Sequence, residues 1–524
     1  MTQIKNFPFS KDKINELKNK EFGTNWPSVY LIENQKEMYV GETVDIYNRA
    51  LQHLENTDRT RLNKLHVITD EEFNKSATLD IESSLIQYIA ADGKYLLQNG
   101  NRGLLNHNYF DKQKYQAKFE LVWEQLKKLN LVSNDLIQIR NTEIFKYSPY
   151  KALTEEQITI VESLLDFINT DKATTFIING GAGTGKTILA IYLMKTLVEF
   201  EATKHLKVAL VVPMTSLRDT LRKVFKGVKN LKPSMVIGPS DVVGGNFDIL
   251  LVDEAHRLKK RKNITNFMSF DIANKKLGLG SDGTELDWIL LSSKQHIMFF
   301  DKNQSVRPSD IHFTSFENLN SMTFELKSQI RVGVNGEGDK YIELINSIFD
   351  KTPYSKPDFK DYDFRVFAKL EDMVSVIKEK EKYYGLARLV SGYAWEWQSK
   401  NDGSKFDIEI GETKLKWNST TKNWVNSPNA INEVGCIHTV QGYDLNYAGV
   451  IIGPELSFDF DKNEFVINAS HYRDMNGKRG IEDPEELKRY IINIYKTLLT
   501  RGIKGTYVYI VDESLRRYFL NKIS

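Results

Sequence analysis

The chain has 524 residues, which is too long for a single hydrophobic core and predicts about three domains. Its 71 basic and 69 acidic side chains leave a formal net charge of +2, which excludes bulk polycationic attraction to nucleic acid. The single cysteine, Cys436, excludes an intrachain disulfide and thiolate zinc sites. No apolar leader and no run of about 18 apolar residues is present, so we expect a cytoplasmic protein that does not bind membranes.

Two short alternating segments near the N-terminus predict a β-hairpin. They are residues 28–32 (SVYLI) and 38–41 (MYVG), and each contains one tyrosine, Tyr30 or Tyr39. A hairpin with two tyrosines is common in proteins of many functions. The hairpin therefore gains meaning only from the residues that follow it.

Two predicted helices after the hairpin carry polar residues in unusual positions. In the helix over residues 43–54, a spacing of four places Arg49 and His53 on one face. In the helix over residues 80–90, Glu82 precedes apolar residues at three, four and seven positions further on. A carboxylate on an apolar stripe is costly unless it is paired or binds a metal ion.

Residues 25–110 resemble the GIY-YIG nuclease family in this pattern, although Ser28 and Val29 stand where the family has Gly and Ile. The resemblance implies a small mixed α/β domain that hydrolyses phosphodiester bonds. It implies that Glu82 binds one Mg²⁺ or Mn²⁺ ion, which polarises the scissile phosphate. It also implies that Arg49 stabilises the charge that develops there.

The remaining members of this predicted site are a base, two positioning tyrosines and a late asparagine. His53 or a tyrosine would activate water, with Tyr30 and Tyr39 positioning it. The family's asparagine is assigned to Asn99, and Asn106 is the alternative. A small docking domain without nuclease activity is the competing interpretation of residues 1–110.

The rest of the chain predicts α/β architecture. Residues 111–150 indicate a charged connecting helix and linker, and from about residue 151 short apolar runs alternate with amphipathic helices, as in a parallel sheet covered by helices. Two α/β domains are expected, 151–322 and 323–524, the second with a polar, hairpin-like insertion near 395–430. The apolar runs are 176–179, 208–212, 249–252, 297–300, 365–368, 387–391, 450–452 and 507–511.

A phosphate-binding loop is the strongest motif in the chain. It matches G-x-x-x-x-G-K-[ST], follows the strand at 176–179 and begins an apolar helix. Backbone N–H groups of such a loop surround phosphates; Lys186 would reach the β- and γ-phosphates and Thr187 would bind Mg²⁺. The eight residues are Gly180, Gly181, Ala182, Gly183, Thr184, Gly185, Lys186 and Thr187.

Two further polar elements follow apolar strands. Asp253 and Glu254 come directly after the strand at 249–252, where a carboxylate faces the ligand crevice of an open sheet. We expect Asp253 to hold Mg²⁺ and Glu254 to orient and deprotonate the attacking water. Gln304, in FDKNQ after the strand at 297–300, is the candidate sensor of the γ-phosphate.

A second domain that supplies arginines across a nucleotide cleft distinguishes a motor from a simple nucleotide switch. Arg331, in LKSQIR, and Arg501, in YKTLLTR, are the candidates. Between them, HTVQGYD contains Gln441 and Gly442 and precedes the strand at 450–452.

Residues from about 151 to 524 resemble the Schlafen-like superfamily 1 helicase domain, which combines a DEAH-type box with S-Q-x-R and H-x-x-Q-G-x-[DE] elements. The resemblance implies two tandem RecA-like parallel-sheet domains. Superfamily 2 is disfavoured because no Q-x-x-G-R-x-x-R is present. Gln157, about 25 residues before the phosphate-binding loop, fits an adenine contact or a solvated helix residue.

Together these patterns predict an ATP-dependent helicase or translocase coupled to a metal-dependent endonuclease, with DNA, RNA or both as partners and ATP and Mg²⁺ as cofactors. The architecture implies restriction or antiviral defence by analogy. A nucleotide-gated switch, in which ATP binding controls assembly or cleavage without translocation, is the alternative. Protein partners and the oligomeric state stay open.

Overall fold

The computed structural model describes most of the chain, and its contacts divide the chain into two compact units. One comprises Met1–Thr170, Ile188–Leu206 and Thr220–Met235; the other comprises Asp171–Thr187, Lys207–Asp219 and Val236–Ser524. No helix in the described ranges is long and apolar enough to cross a membrane. These ranges are residues 2–100, 109–168, 174–264, 266–302, 304, 307–332, 337–354, 358–420, 423–440 and 442–523.

The strands of the described residues form three main sheets and one separate hairpin. In chain order they are β1 (Gln3–Pro8), β2 (Ser28–Glu33), β3 (Glu37–Thr43), β4 (Lys64–Thr69), β5 (Leu96–Leu97), β6 (Thr174–Gly180), β7 (Val208–Val211), β8 (Val236–Ile237), β9 (Phe247–Val252), β10 (Ser293–Phe300), β11 (Ser321–Leu326), β12 (Asp363–Phe367), β13 (Ala387–Ser391), β14 (Ile408–Ile410), β15 (Thr413–Trp417), β16 (Glu433–Cys436), β17 (Leu445–Ile452), β18 (Leu456–Asp459), β19 (Glu464–Ile467) and β20 (Gly502–Ile510).

The α-helices alternate with these strands through most of the chain. They are α1 (Lys11–Asn15), α2 (Ile46–Glu55), α3 (Lys75–Asp92), α4 (Lys112–Lys128), α5 (Leu136–Arg140), α6 (Glu143–Lys146), α7 (Glu155–Ile168), α8 (Lys186–Glu199), α9 (Thr215–Lys226), α10 (Phe267–Lys276), α11 (Glu285–Ser292), α12 (Phe313–Glu317), α13 (Glu337–Asp350), α14 (Leu370–Tyr384), α15 (Ile437–Val440), α16 (Met475–Lys478), α17 (Pro484–Leu499) and α18 (Glu513–Ile523).

The N-terminal sheet has the order β1-β4-β2-β3-β5. The predicted hairpin is present as β2 and β3, which pair antiparallel with Tyr30 opposite Gly41. Helix α2 covers the face that carries Tyr30, because its Ile46 and Ala50 share an apolar core with Tyr30 and Leu65. The side chain of Asp45 caps α2 by accepting the Asn48 N–H, so the helix begins three residues later than the sequence pattern predicts.

Residues 112–146 form α4, α5 and α6, which contact α3 of the N-terminal sheet domain. The ring of Tyr88 on α3 packs against Phe119, Trp123 and Phe145, with ring centroids 4.6 to 5.7 Å apart. Because Trp123 is almost fully buried, this segment is a packed part of the first unit. The sequence had indicated a connecting helix and linker here.

In the second unit, the first sheet is parallel and has the order β11-β6-β10-β9-β7-β8. Strand β10 lies between β6 and β9, so the carboxyl ends of these three strands are adjacent. The phosphate-binding loop follows β6, Asp253 follows β9 and Asp301 follows β10. This order brings three separate sequence motifs to one edge of the sheet.

A second sheet in the same unit has the order β12-β20-β17-β13-β16-β15-β14. Its strands are parallel except for the hairpin β14–β15, which joins the sheet through the parallel pair β15–β16. This hairpin lies within the polar insertion at 395–430. Two parallel sheets in series confirm the α/β architecture that the alternating apolar runs predict.

Candidate functional site

The phosphate-binding loop has the backbone that its glycines make possible. Gly183 and Gly185 have φ of +83° and +84°, in the left-handed region that L-residues rarely adopt. At Gly180 a Cβ atom would lie 2.5 Å from Thr184 Oγ1, so the close approach of the loop requires glycine. Thr184 Oγ1 donates a hydrogen bond to Gly181 O at 3.1 Å and closes the turn.

Lys186 begins α8 and lies inside the loop. Its Nζ donates to the carbonyl oxygens of Gly180 at 2.6 Å and Gly181 at 2.8 Å. The same atom is 3.5 Å from Asp301 Oδ2. The ammonium group is therefore buried among oxygen acceptors at the carboxyl edge of the sheet.

Thr187 and Asp253 converge beside the loop. Thr187 Oγ1 donates to Asp253 Oδ2 at 2.8 Å, while Asp253 Oδ1 is buried without a hydrogen bond among the described residues. Burial, followed by the nearby charge of Glu254, raises the pKa of the Asp253 carboxyl. A hydroxyl oxygen and a carboxylate oxygen without a hydrogen bond are ligands of the kind that Mg²⁺ prefers.

Glu254 follows Asp253 in a left-handed conformation with φ of +53°. His256 Nε2 lies 3.0 Å from Glu254 Oε2. Burial opposes ionisation of Glu254, but the charges of His256, Lys186 and Arg501 outweigh it and lower its pKa. Glu254 is therefore a carboxylate at neutral pH, and a carboxylate accepts a proton from water.

Gln304 and Arg501 extend this cluster to the second sheet of the unit. Gln304 Nε2 donates to Asp301 Oδ2 at 2.6 Å, and Arg501 Nη2 lies 3.5 Å from Gln304 Oε1. Arg501 is 1% exposed, and its Nη1 donates to Tyr443 O at 3.4 Å. Three successive polar contacts thus connect the side chains of Lys186, Asp301, Gln304 and Arg501.

Arg331 lies near the loop, but its guanidinium has another partner. Arg331 Nε is 2.5 Å from Asp444 Oδ1, and both side chains are 20% exposed. Its backbone N–H donates to Gln329 Oε1 at 2.9 Å. A role of Arg331 at the transferring phosphate stays a prediction, since the ion pair holds the side chain toward Asp444.

Of the other residues that the helicase motifs predict, the structure describes Gly442 and Gln157. Gly442 has φ of +86°, which requires glycine, and it lies near Met214 and Leu217. Gln441 lies outside the described residues. Gln157 is buried in the first unit, and its Oε1 accepts the Thr154 N–H at 3.1 Å, which caps α7. Burial excludes a solvated Gln157, and its adenine contact stays a prediction.

A second polar cluster lies on the N-terminal sheet, between β2 and α2. Tyr30 Oη is 2.7 Å from His53 Nε2, and Arg49 Nε donates to Tyr30 Oη at 3.4 Å. The ring of Tyr39 is 4.9 Å from the ring of His53 and 6.2 Å from that of Tyr30. Burial raises the pKa of Tyr30, with the neighbouring Tyr39 adding to the shift.

Arg59 joins this cluster from the 3-10 helix Thr57–Arg59, which follows α2. Its guanidinium stacks over the ring of Tyr39 at 3.7 Å, and Nη1 lies 3.3 Å from His53 Nε2. An arginine can only donate, so both contacts at Nε2 are satisfied when this nitrogen is an acceptor and the Tyr30 hydroxyl donates. The neutral imidazole then presents a lone pair to Tyr30.

Gly41 and Asn99 set the shape of the hairpin. A Cβ at Gly41 would lie 2.3 Å from Tyr30 Oη, so the tyrosine can lie across β3 only because residue 41 is glycine. Asn99 accepts the Val40 N–H at 3.0 Å and donates to Val40 O at 2.8 Å. It therefore holds β3 between Tyr39 and Gly41. Asn106 lies outside the described residues.

Glu82 on α3 interacts electrostatically with this cluster. Burial, and then the negative charge of Glu42, raise the pKa of Glu82 to about 7, while Lys75 and Arg49 act in the opposite direction. The charge of Glu82 in turn contributes to the raised pKa of Tyr30. Within the described part of the chain, no group of three or more His, Cys, Asp or Glu side chains is placed to hold a metal ion.

The sequence of this chain matches one described protein family over most of its length. Residues 173–512 match the Schlafen group 3, DNA/RNA helicase domain. The chain belongs to the Schlafen group 3 helicase family. This assignment confirms the prediction of a helicase-type ATPase in the C-terminal two thirds, and it does not cover the N-terminal cluster.

Individual proteins similar to this Schlafen group 3 chain share 26% or less of its sequence. Uncharacterized protein YPL245W of Saccharomyces cerevisiae is 26% identical over 424 residues, which is 70% of this chain and 90% of the yeast protein. A Pif1 helicase from Bacteroides in complex with ADP-AlF3 and ssDNA is 12% identical, with 66% of this chain and 91% of that chain covered and a TM-score of 0.26. A structure of two coordinating Pif1 helicases at forked dsDNA is 11% identical over 68% of this chain and 92% of that one, with a TM-score of 0.25. At these TM-scores the likeness supports no argument.

Two residues at the loop of the Schlafen group 3 domain, Gln329 and Ile330, were not predicted from the sequence. Gln329 lies across the loop: a Cβ at Gly183 would lie 2.0 Å from Gln329 Oε1, and Gln329 Nε2 donates to Ala182 O. The Ile330 N–H donates to Gly183 O at 3.0 Å. Both residues belong to the S-Q-x-R element, which precedes α13 and could have indicated them.

Proposed function

We propose that this chain is an ATP-hydrolysing motor that moves along or remodels DNA or RNA. The observation that carries the proposal is the series of polar contacts from Lys186 through Asp301 and Gln304 to Arg501. It supports a motor because it links the phosphate-binding loop to the second sheet. Closure of one sheet domain on the other would then depend on the state of the nucleotide.

The residues at the loop fit ATP and Mg²⁺. Gly183 and Gly185 supply the left-handed backbone that turns N–H groups toward phosphates, and Lys186 supplies the positive charge. Thr187 and Asp253 would hold Mg²⁺, and the unpaired Asp253 Oδ1 is a free coordination position. When bound, Mg²⁺ would neutralise charge on the β- and γ-phosphate oxygens.

The hydrolytic step would use Glu254 and the second-sheet arginine. Glu254 is ionised at neutral pH, so it orients a water and accepts its proton. Arg501, next to Gln304, would stabilise the charge that develops on the transferred phosphoryl group. Gln304 connects Arg501 to Asp301 beside the phosphate-binding loop, because its amide contacts both side chains.

ATP turnover of the purified chain, with and without single-stranded oligo(dT) or oligo(U), tests this proposal. A motor is stimulated by at least one polynucleotide, because its nucleic-acid contacts favour the hydrolytic state. Lys186→Ala should abolish turnover while the folded structure remains. If neither polynucleotide changes the ATP turnover of the wild-type chain, the nucleotide-gated switch is favoured instead.

We also propose that the N-terminal cluster hydrolyses phosphodiester bonds with a divalent metal ion. The contact of Tyr30 with His53 and Arg49 carries this proposal, with Glu82 near enough to affect the pKa of Tyr30. His53 Nε2 would take a proton through Tyr30, and Arg49 would stabilise negative charge on the tyrosine or on the phosphate.

Glu82 fits a weak site for Mg²⁺ or Mn²⁺. It is a single carboxylate, so water and substrate oxygens would complete the coordination. Bound metal would polarise the scissile phosphate. Incubation of the chain with single- and double-stranded DNA and RNA, with Mg²⁺ or Mn²⁺, tests the proposal. A protein that cuts none of these substrates has a binding domain in this position. A role in restriction or antiviral defence rests only on the analogy of the paired activities.

A further inference from the structure

One ring nitrogen of His438 is contacted by two oppositely charged groups. Arg307, in the segment that follows β10, brings Nη2 to 2.9 Å from His438 Nε2. Asp474, from the segment before α17, brings Oδ2 to 2.7 Å from the same nitrogen. The Arg307 and Asp474 side chains are themselves 3.8 Å apart.

The two contacts at His438 Nε2 require opposite protonation of that atom. A guanidinium carries only donors, so Arg307 can bond Nε2 only when the nitrogen has no hydrogen. An ionised carboxylate carries only acceptors, so Asp474 can bond Nε2 only when the nitrogen has one. One hydrogen bond therefore excludes the other.

The charge states of the group support this exclusion. Burial opposes ionisation of Asp474, but the contacts with His438 and Arg307 outweigh it and lower its pKa to about 2. Burial lowers the pKa of His438; the hydrogen bond with Asp474 acts in the opposite direction, and the charge of Arg307 adds to the lowering. A neutral imidazole bears one hydrogen, which is either on Nε2 or on Nδ1. Arg307 Nε is buried without a hydrogen bond among the described residues.

The Arg307 side of this contact leads to the hydrolytic carboxylate. The Arg307 backbone N–H donates to Asp310 Oδ2 at 3.2 Å, and Arg257 Nη1 donates to the same oxygen at 2.7 Å. Arg257 lies three residues after Glu254 in the chain. Asp310 therefore joins the backbone of Arg307 to the segment that holds Glu254.

The Asp474 side of the contact is fixed independently. Asp474 Oδ1 accepts the Gly477 N–H at 2.9 Å and caps α16, so the carboxylate keeps its place whether or not His438 bonds to it. His438 itself is four residues before Gly442 in the HTVQGYD segment. The next residue, Tyr443, accepts a hydrogen bond from Arg501.

We propose that Arg307 and Asp474 are positioning residues that couple polynucleotide binding to ATP hydrolysis by competing for His438 Nε2. The proposal rests on the motor function proposed above. When Nε2 bonds to Arg307, the HTVQGYD segment is tied through Asp310 to the Glu254 segment. When Nε2 bonds to Asp474, that tie is released. A polynucleotide that binds one arrangement more tightly than the other shifts the balance and with it the position of the Glu254 segment.

The test compares basal and oligo(dT)- or oligo(U)-saturated ATP turnover of the full chain in wild type, Arg307→Ala, Arg307→Lys and Asp474→Asn. We expect Arg307→Ala and Asp474→Asn to keep basal turnover within about twofold and to lose about fivefold or more of the stimulation. Arg307→Lys should restore much of it, because an ammonium also donates to Nε2. Arg365→Ala is the matched control: it breaks a guanidinium–carboxylate pair with Asp363, of 2.7 Å, that touches no histidine.

The double variant Arg307→Ala/Asp474→Asn distinguishes competition from two separate effects. If both residues act on one nitrogen, the double variant loses as much polynucleotide stimulation as either single variant. Two separate effects would instead multiply. Unchanged stimulation in both single variants, or a parallel fall of basal and stimulated rates, overturns the coupling proposal. Wild-type turnover that neither polynucleotide stimulates overturns both the motor function and the coupling. Equal stimulation of wild type and of both single variants overturns the coupling and leaves the motor function standing.

Discussion

Arg501 Nη2 lies 3.5 Å from Gln304 Oε1, although the two residues are 197 positions apart in the chain. Gln304 in turn donates to Asp301, whose carboxylate is 3.5 Å from Lys186 Nζ. A single glutamine amide therefore stands between the arginine of the second sheet and the lysine of the phosphate-binding loop. Lys186 and Arg501, at the two ends of this series of contacts, are buried, so the electrostatic interactions between them are weakly screened by solvent.

Replacement of Arg501 should reduce ATP turnover by about 10³-fold, because a donor to the transferring phosphoryl group is lost. The binding of ATP should change much less, since Lys186 and the loop backbone remain. Steady-state kcat and KM, together with the equilibrium affinity for ATP, check this for Arg501→Ala. Arg489→Ala, on α17 of the same unit, is the control. A loss of affinity without a loss of kcat would assign Arg501 to nucleotide binding only.

Glu254→Gln should keep ATP binding and reduce hydrolysis by roughly 10²- to 10⁴-fold, because an amide cannot accept the proton of the attacking water. Its volume and its position next to His256 are otherwise conserved. Single-turnover hydrolysis and ATP affinity are the measurements. Glu371→Gln, an exposed glutamate at the start of α14, controls for the loss of one charge. A reduction below about tenfold would show that another group activates the water.

The strands that position the phosphate-binding loop could be predicted from the sequence because each motif follows a buried strand. Every apolar run used in the prediction corresponds to a strand, and the parallel order places the loop, Asp253 and Asp301 at one edge. Edge strands such as β8, with two residues, and β11, with an exposed and irregular burial pattern, gave no such signal. Neither has the continuous apolar character of a strand buried on both faces.

Side-chain partners were harder to predict than strands. The sequence indicated Arg331 as a group at the phosphate, but its partner is Asp444, 113 positions later, which no local pattern reveals. Arg59 was not singled out, because a single arginine in a polar turn has no periodicity. Its role at His53 depends on how the turn packs against the hairpin, which is a tertiary property.

Glu455 gives the protein a stability that depends on pH. Its carboxyl is 1% exposed and accepts a hydrogen bond from the Tyr495 hydroxyl. Burial raises its pKa from 4.5 to about 7. The folded state therefore keeps the proton where the unfolded chain loses it. The stability that this group contributes is fully present below pH 4.5 and is lost as the pH rises through 7.

Glu455→Gln should remove this dependence, because an amide does not ionise. Relative to wild type, the free energy of unfolding of the variant should rise by on the order of 2 kcal/mol between about pH 5 and pH 8. Denaturant unfolding at several pH values checks the difference. Glu371→Gln, which removes an exposed carboxyl, should follow the wild-type profile. Parallel profiles for wild type and Glu455→Gln would show that Glu455 ionises in the folded state as it does in the unfolded chain.

Substitution of Glu82 separates the two proposed activities. Glu82→Ala should eliminate metal-dependent cleavage of nucleic acid, since it removes the carboxylate that is proposed to bind the metal ion and whose charge acts on Tyr30. It should leave ATP turnover unchanged, because the proposed Mg²⁺ ligands of the motor are Thr187 and Asp253. Cleavage and ATP turnover are measured on the same preparation with Mg²⁺ and with Mn²⁺.

Lys186→Ala supplies the converse, and Glu120→Ala, an exposed glutamate on α4, controls for charge in the first unit. If cleavage depends on ATP hydrolysis, Lys186→Ala stops both reactions while Glu82→Ala stops only one. Residual cleavage in Glu82→Ala with either metal would exclude Glu82 as the ligand that the reaction needs. The base would still be testable, because His53→Ala removes the acceptor of the Tyr30 hydroxyl and should lower the cleavage rate by about 10²-fold or more.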